Sequence, residues 1–172
     1  MAIAAILSGN SRLNLRPDFA PLTTLSRSDT LDPNRIRRVL VTKLRHHGDV
    51  LLASPVLGAL KRQLPNAEII ALVYHDTRDM LAEHPALCQL HLVRKGGALS
   101  EEWRLLLALR SRRYDLLIHL TSSARGAWLA RVLRPKVSVA PSHPGRLYRN
   151  SFTHLCPAKP RGRHLVEDNL AG

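Results

Sequence analysis

The residues best suited to chemistry in this chain stand in one short segment: Lys43, then His46-His47-Gly48-Asp49-Val50. A carboxylate at the mouth of a loop can act as a general base. It takes the proton of an acceptor hydroxyl as that oxygen bonds to carbon. It can equally be a helix N-cap, a role for which Asp is among the best residues. Spacing leaves both roles open for Asp49, and one carboxylate can fill both. Gly48 would let the backbone turn tightly and a bulky substrate approach. His46 and His47 are adjacent, so their side chains need not converge on one ion. No H-E-x-x-H or C-x-x-C spacing accompanies them, and they read as solvated loop histidines with no metal expected.

A second group is electrostatic. The 172 residues include 26 Lys and Arg against 13 Asp and Glu, a formal charge of +13. Residues 1–34 are neutral, so the whole excess lies in residues 35–172. It is densest over residues 122–163, where Arg125, Arg131, Arg134, Lys136, Arg146, Arg149, Lys159, Arg161 and Arg163 meet no acid. Like charges cannot pair locally, so this stretch is a solvated face or an anion-binding surface. Arg outnumbers Lys there, and the guanidinium suits bidentate phosphate or carboxylate binding.

Other chemistries are poorly served. No G-x-G-x-x-G follows the first strand pattern and no G-x-x-x-x-G-K-[ST] occurs, against a simple NAD enzyme or a P-loop ATPase. No G-x-S-x-G offers a nucleophile elbow. Aromatic residues are only 4%, leaving few stacking platforms for nucleic acid, and no RRM, KH or zinc-finger pattern is present. Nucleic acid is therefore an unfavoured partner. Two cysteines, Cys88 and Cys156, make no disulfide framework and fit a reducing compartment.

The elements that must position these residues follow from periodicity. Val39-Leu40-Val41 is a short apolar run of the kind a buried parallel strand needs. A loop over residues 42–49 follows it. Val50, Ala53, Leu57, Leu60 and Leu64 then recur at helical spacing behind Asp49 as N-cap. Pro55 lies near the start, where proline is tolerated, and Pro65-Asn66 ends the helix. The cycle repeats: a strand over 68–73, a short helix over 76–84, a strand over 90–93 and a break at Gly96-Gly97. Ser100 with Glu101 and Glu102 opens a helix to Arg113. A strand over 114–121, a helix over 122–133 with Trp128, Leu129, Val132 and Leu133 on one side, and a strand over 137–140 complete the pattern. A last helix could start near His164. Alternating strands and helices predict an α/β fold, a doubly wound Rossmann-like parallel sheet with helices on both faces. Ligands of such sheets bind beyond the carboxyl ends of the strands, here loops 42–49, 74–78, 94–99, 121–125 and 141–149. Residues 1–34 lack period and read as a flexible leader before a domain over 35–163. No run of apolar residues reaches the length of a membrane span.

Taken in order, Val39-Leu40-Val41-Thr42-Lys43, Gly48-Asp49-Val50-Leu51, Ser54-Pro55 and Leu57 resemble the opening of the ADP-heptose:lipopolysaccharide heptosyltransferases, glycosyltransferase family 9. Pro65-Asn66-Ala67-Glu68-Ile69, Val73-Tyr74, Tyr114-Asp115-Leu116 and Leu120-Thr121 extend the resemblance over roughly residues 37–170. Details look most like the heptosyltransferase III type. The resemblance implies an inverting, metal-independent GT-B enzyme without cofactor, whose N-terminal domain holds the lipopolysaccharide inner-core acceptor and whose C-terminal domain holds ADP-heptose. It places the general base on Asp49. It assigns binding of acceptor carboxylates and phosphates to basic residues, which would here be Lys43, Arg125, Arg146 and Arg149, with Gly48 in the same loop. Arg149 could instead be a solvated helix residue.

Residues 164–172 look like the start of the family's link to a C-terminal donor domain, so the chain reads as an N-terminal half. The expected location is cytoplasmic, peripheral to the inner membrane's cytoplasmic face, where the basic surface would make anionic inner-leaflet lipid a further partner. Two other functions compete with catalysis: a non-catalytic module that binds anionic saccharide, and, less favoured, a nucleic-acid-binding protein.

Overall fold

The computed structural model describes residues 32–45 and 47–156. Within them lie six strands: β1 (Arg38–Lys43), β2 (Glu68–Tyr74), β3 (Gln89–Val93), β4 (Leu116–His119), β5 (Val137–Pro141) and β6 (His154–Cys156). Five helices accompany them: α1 (His47–Leu51), α2 (Ser54–Gln63), α3 (Leu99–Ser111), α4 (Ala124–Leu133) and α5 (Arg146–Arg149). The expected leader, the expected link at 164–172 and His46 lie outside the described residues, except for the leader's last three residues, Asp32–Asn34.

All pairings are parallel and the order is β3-β2-β1-β4-β5-β6, so the predicted doubly wound sheet is present. Alternate residues of each strand feed two cores. Val39 and Val41 join Val50, Leu57, Leu60 and Ile118 on the face covered by α1 and α2. Leu40 joins Leu109, Leu117, Ala127 and Leu133 on the face covered by α3 and α4. Burial on both faces is why these strands read as unbroken apolar runs.

Several expected boundaries are corrected. The helix expected from Val50 is two helices, α1 and α2, with residues 52 and 53 as a turn between them. Pro55 explains the break: without an N–H it cannot bond the carbonyl four residues back, at Leu51, so it instead opens the new helix α2. The helix expected over 76–84 is a 3-10 helix, His75–Met80, started by the Thr77 hydroxyl donating to the Tyr74 carbonyl at 2.8 Å. Helix α3 starts at Leu99 with Ala98 as N-cap, so Ser100 is inside the helix rather than its cap. Ser123 caps α4, its hydroxyl accepting from the Gly126 N–H. Trp128 does not share the buried side of α4 with Leu129 and Leu133; it is exposed. Strand β4 is shorter than residues 114–121, and β6 and α5 lie where the basic, proline-rich segment offered no period.

At the amino end of the sheet, Asp115 staples β4 to β1. Its carboxylate accepts from the Arg37 and Arg38 amides at 2.8 and 3.0 Å and pairs with Lys136 at 2.7 Å. Burial alone would raise its pKa, but Lys136 and the two amides outweigh that and hold it below the usual carboxylate range.

Candidate functional site: the crevice between β1 and β4

In this strand order the winding reverses between β1 and β4. The chain leaves β1 for the face of α1 and α2, and leaves β4 for the face of α4. The carboxyl ends of the two strands are therefore left uncovered between diverging connections, where open α/β sheets hold ligands. Thr42 and Lys43 end β1; His119 ends β4, and Leu120 and Thr121 follow it.

Lys43 is 4% exposed, and its ammonium donates to the Leu120 carbonyl at 3.0 Å. Burial lowers its pKa, while the charge of Asp49 pushes it back up. The structure thus brings Lys43 and Asp49 into electrostatic reach. Asp49 does not cap a helix. It lies in the first turn of α1, half-buried, with Val50 beside it in the core. An acid in a first turn is favoured by the positive helix end. The tight turn expected at Gly48 is also absent: its backbone is helical and a Cβ there would meet nothing within 4 Å. What Gly48 leaves is open space beside Asp49.

Beneath the crevice runs a polar chain that spacing did not expose. The His119 imidazole is 1% exposed, with Nδ1 2.5 Å from the Thr42 hydroxyl and Nε2 3.2 Å from the Ser123 hydroxyl. Burial, helped by Lys43, lowers its pKa to about 3, so the ring is neutral at ordinary pH. A neutral imidazole has one donor and one acceptor nitrogen, enough for both hydroxyls. A visible signal existed: Thr42 and His119 are polar residues inside apolar runs, and the register sets them side by side.

Aromatic contacts link this chain to α5. Phe152 stacks on His119 at 5.9 Å, and Tyr148 packs on Phe152 at 4.8 Å. The Tyr148 hydroxyl donates to the Thr121 carbonyl at 3.3 Å. Burial pushes its pKa up, which keeps it a donor. Tyr148 thereby fastens α5 to the carboxyl end of β4, next to the carbonyl that holds Lys43. Arg146 and Arg149, on the same short helix, are exposed. Neither makes a side-chain hydrogen bond or ion pair among the described residues.

Arg125 is placed differently. It pairs with Glu102 at 2.7 Å and reaches the Tyr74 hydroxyl at 3.4 Å. Tyr74 also carries Lys95 over its ring at 4.7 Å, and Lys95 pairs with Asp76 at 2.9 Å. Arg125 thus leans towards β2 and is partly neutralised, whereas Lys43 lies at the β1–β4 crevice and Arg146 and Arg149 sit on α5, which Tyr148 fastens beyond the end of β4. Among the described residues no three His, Cys, Asp or Glu side chains group as a metal would require.

With this geometry in place, similarity to known proteins is informative. Lipopolysaccharide heptosyltransferase 3 of Escherichia coli is 36% identical over 136 residues, covering 74% of this chain and 39% of the relative; the same protein from strain K12 matches equally. The chain therefore spans about two fifths of the length of the curated relatives it matches. A family 9 glycosyltransferase structure from Veillonella parvula superposes with a TM-score of 0.68 at 25% identity, covering 78% of this chain and 39% of that one. Escherichia coli heptosyltransferase WaaC, solved with ADP-2-deoxy-2-fluoro heptose, gives 0.67 at 20% identity over 77% of this chain and 46% of that one, a likeness of fold. No family model matches the chain.

Proposed function

Because this chain belongs, over its matched residues, to the heptosyltransferase family, we propose that it forms the acceptor-binding half of an inverting glycosyltransferase. The reaction moves heptose from ADP-heptose to the inner core of lipopolysaccharide. Asp49 takes the proton of the acceptor hydroxyl. The freed oxygen attacks the anomeric carbon from the side opposite ADP, a C–O bond forms as the bond to ADP breaks, and configuration inverts. Lys43, Arg146 and Arg149 receive carboxylates and phosphates of the acceptor. Arg125, shared with Glu102, borders the site on the β2 side and has less charge to offer.

The observation that carries this reading is Lys43 at the switch-point crevice. A buried ammonium costs the fold more than it returns unless something compensates. Its compensation comes from the Leu120 carbonyl and the charge of half-buried Asp49. A base and an anion-binding cation side by side in a crevice match the requirements of an anionic sugar acceptor.

Incubation with labelled ADP-heptose and a Kdo-containing inner-core acceptor tests the reading, with the chain alone and beside a heptosyltransferase donor domain. Label appearing on the acceptor supports it. Saturable acceptor binding without transfer in either arrangement would reduce the protein to a saccharide-binding module. Absence of acceptor binding would end the reading altogether.

A further inference from the structure

Both tryptophans of the chain stand on one outer surface, and neither belongs to the core. Trp103, in the second turn of α3, is 54% exposed, and Trp128 of α4 is 45% exposed. Their rings meet edge to face at 5.9 Å. Leu107, one turn beyond Trp103 on α3, is 62% exposed. Water-facing placement of two tryptophans and a leucine on two neighbouring helices costs solubility and calls for a partner.

The surroundings say which partner. Along α3 the row Trp103–Leu107 continues to Arg110, and Arg104 stands beside it; along α4 the row from Trp128 continues to exposed Arg131. Arg110 also donates to the Val132 carbonyl, which ties the two helices into one plate. The acids nearby are few: Glu102 is already paired with Arg125, and Glu101 stands in the first turn of α3. An apolar, Trp-bearing centre with a guanidinium rim has the chemistry of a surface that enters a headgroup region. Indole rings settle at the boundary, Leu enters the acyl layer and Arg meets anionic phosphate.

We propose that the α3–α4 face docks on an anionic lipid surface through Trp103, Leu107 and Trp128, with Arg104, Arg110 and Arg131 as its rim. Both tryptophans lie in the early turns of their helices, at the carboxyl end of the sheet. Docking there holds the β1–β4 crevice close to the lipid. The surface is distinct from that crevice, and the proposal stands without the transfer reaction.

The two tryptophans make the test direct, since no other indole contributes to fluorescence. The full chain is titrated with vesicles of phosphatidylglycerol and phosphatidylethanolamine, without saccharide, and with neutral phosphatidylcholine vesicles. The expected result is a blue shift and quenching by brominated acyl chains with anionic vesicles only. In a sedimentation assay, partitioning should fall by about fivefold for Arg131→Ser and by more for Arg104→Ser/Arg131→Ser. Trp103→Ser/Trp128→Ser should lose most partitioning while its circular dichroism and melting temperature stay near those of the parent. Three results would overturn the proposal. One is binding indifferent to vesicle charge or to these substitutions. Another is an emission shift produced by oligosaccharide but not by vesicles. The third is a concentration-dependent dimer that buries the tryptophans in place of lipid.

Discussion

Lys43 and Asp49 are six residues apart and within electrostatic reach of each other, one buried at the end of β1, the other half-buried in α1. If Asp49 is the base, Asp49→Asn keeps the shape of the site and removes its proton acceptor. Turnover should fall by about a hundredfold or more, with acceptor affinity changed little. Steady-state transfer kinetics beside an acceptor-binding isotherm separate the two. His119 makes a different prediction. Its pKa is near 3 when folded against an ordinary 6.5, so between these values the unfolded chain holds the extra proton. Stability therefore drops as pH falls from about 6.5 towards 3. His91, also depressed by burial, adds in the same direction, and the depressed carboxylates Asp76 and Asp115 add only below their ordinary range. His119→Gln should flatten the slope between pH 6.5 and 4 by up to about 1.4 kcal/mol per pH unit, read from urea unfolding across that range. The position of Asp49 at a helix start, though not its role, was legible because acids at loop mouths are conspicuous. His119 was not, because its role depends on two hydroxyls, one 77 residues away, that only the strand register brings to it.

At the scale of elements, α4 shows how closely packing constrains sequence. Alanine ordinarily stabilises a helix by about 1 kcal/mol over glycine. At Gly126 the sign should reverse, because a Cβ there collides with the His119 imidazole. Gly126→Ala is expected to destabilise by about 1–3 kcal/mol, measured as a shift in the denaturation midpoint. The same element shows where periodicity misleads. Trp128 looks apolar enough for the core, yet it lies on the Trp103 side while Leu129 and Leu133 turn inward. The long strands and helices were readable because both faces of the sheet are buried. Helix α5 and strand β6 were not: four and three residues respectively are too few to show a period. What holds them is tertiary, the Tyr148 contact with Thr121 and the bonds between Thr153 and Ser138.

For the molecule as a whole, the sheet order decides more than any motif. It sets two cores back to back and opens one crevice, between β1 and β4. The inner strands should accordingly be the last to open: native-state hydrogen exchange is expected to be slowest in β1, β2 and β4 and faster in the edge strands β3 and β6. The excess charge of +13, read first as a general affinity for anions, divides by position. Lys43 is buried at the crevice, Arg146 and Arg149 are exposed on α5, and Arg104, Arg110 and Arg131 are exposed around the tryptophans on α3 and α4. The proposed function requires that the crevice, and not the wider basic surface, take an anionic core saccharide. Amide chemical-shift mapping during titration of a Kdo-containing inner-core oligosaccharide tests it most directly. The predicted result is saturable perturbation centred on Lys43, Asp49, Thr121 and Arg146. Shifts spread evenly over the exposed arginines, or confined to the α3–α4 face, would contradict it.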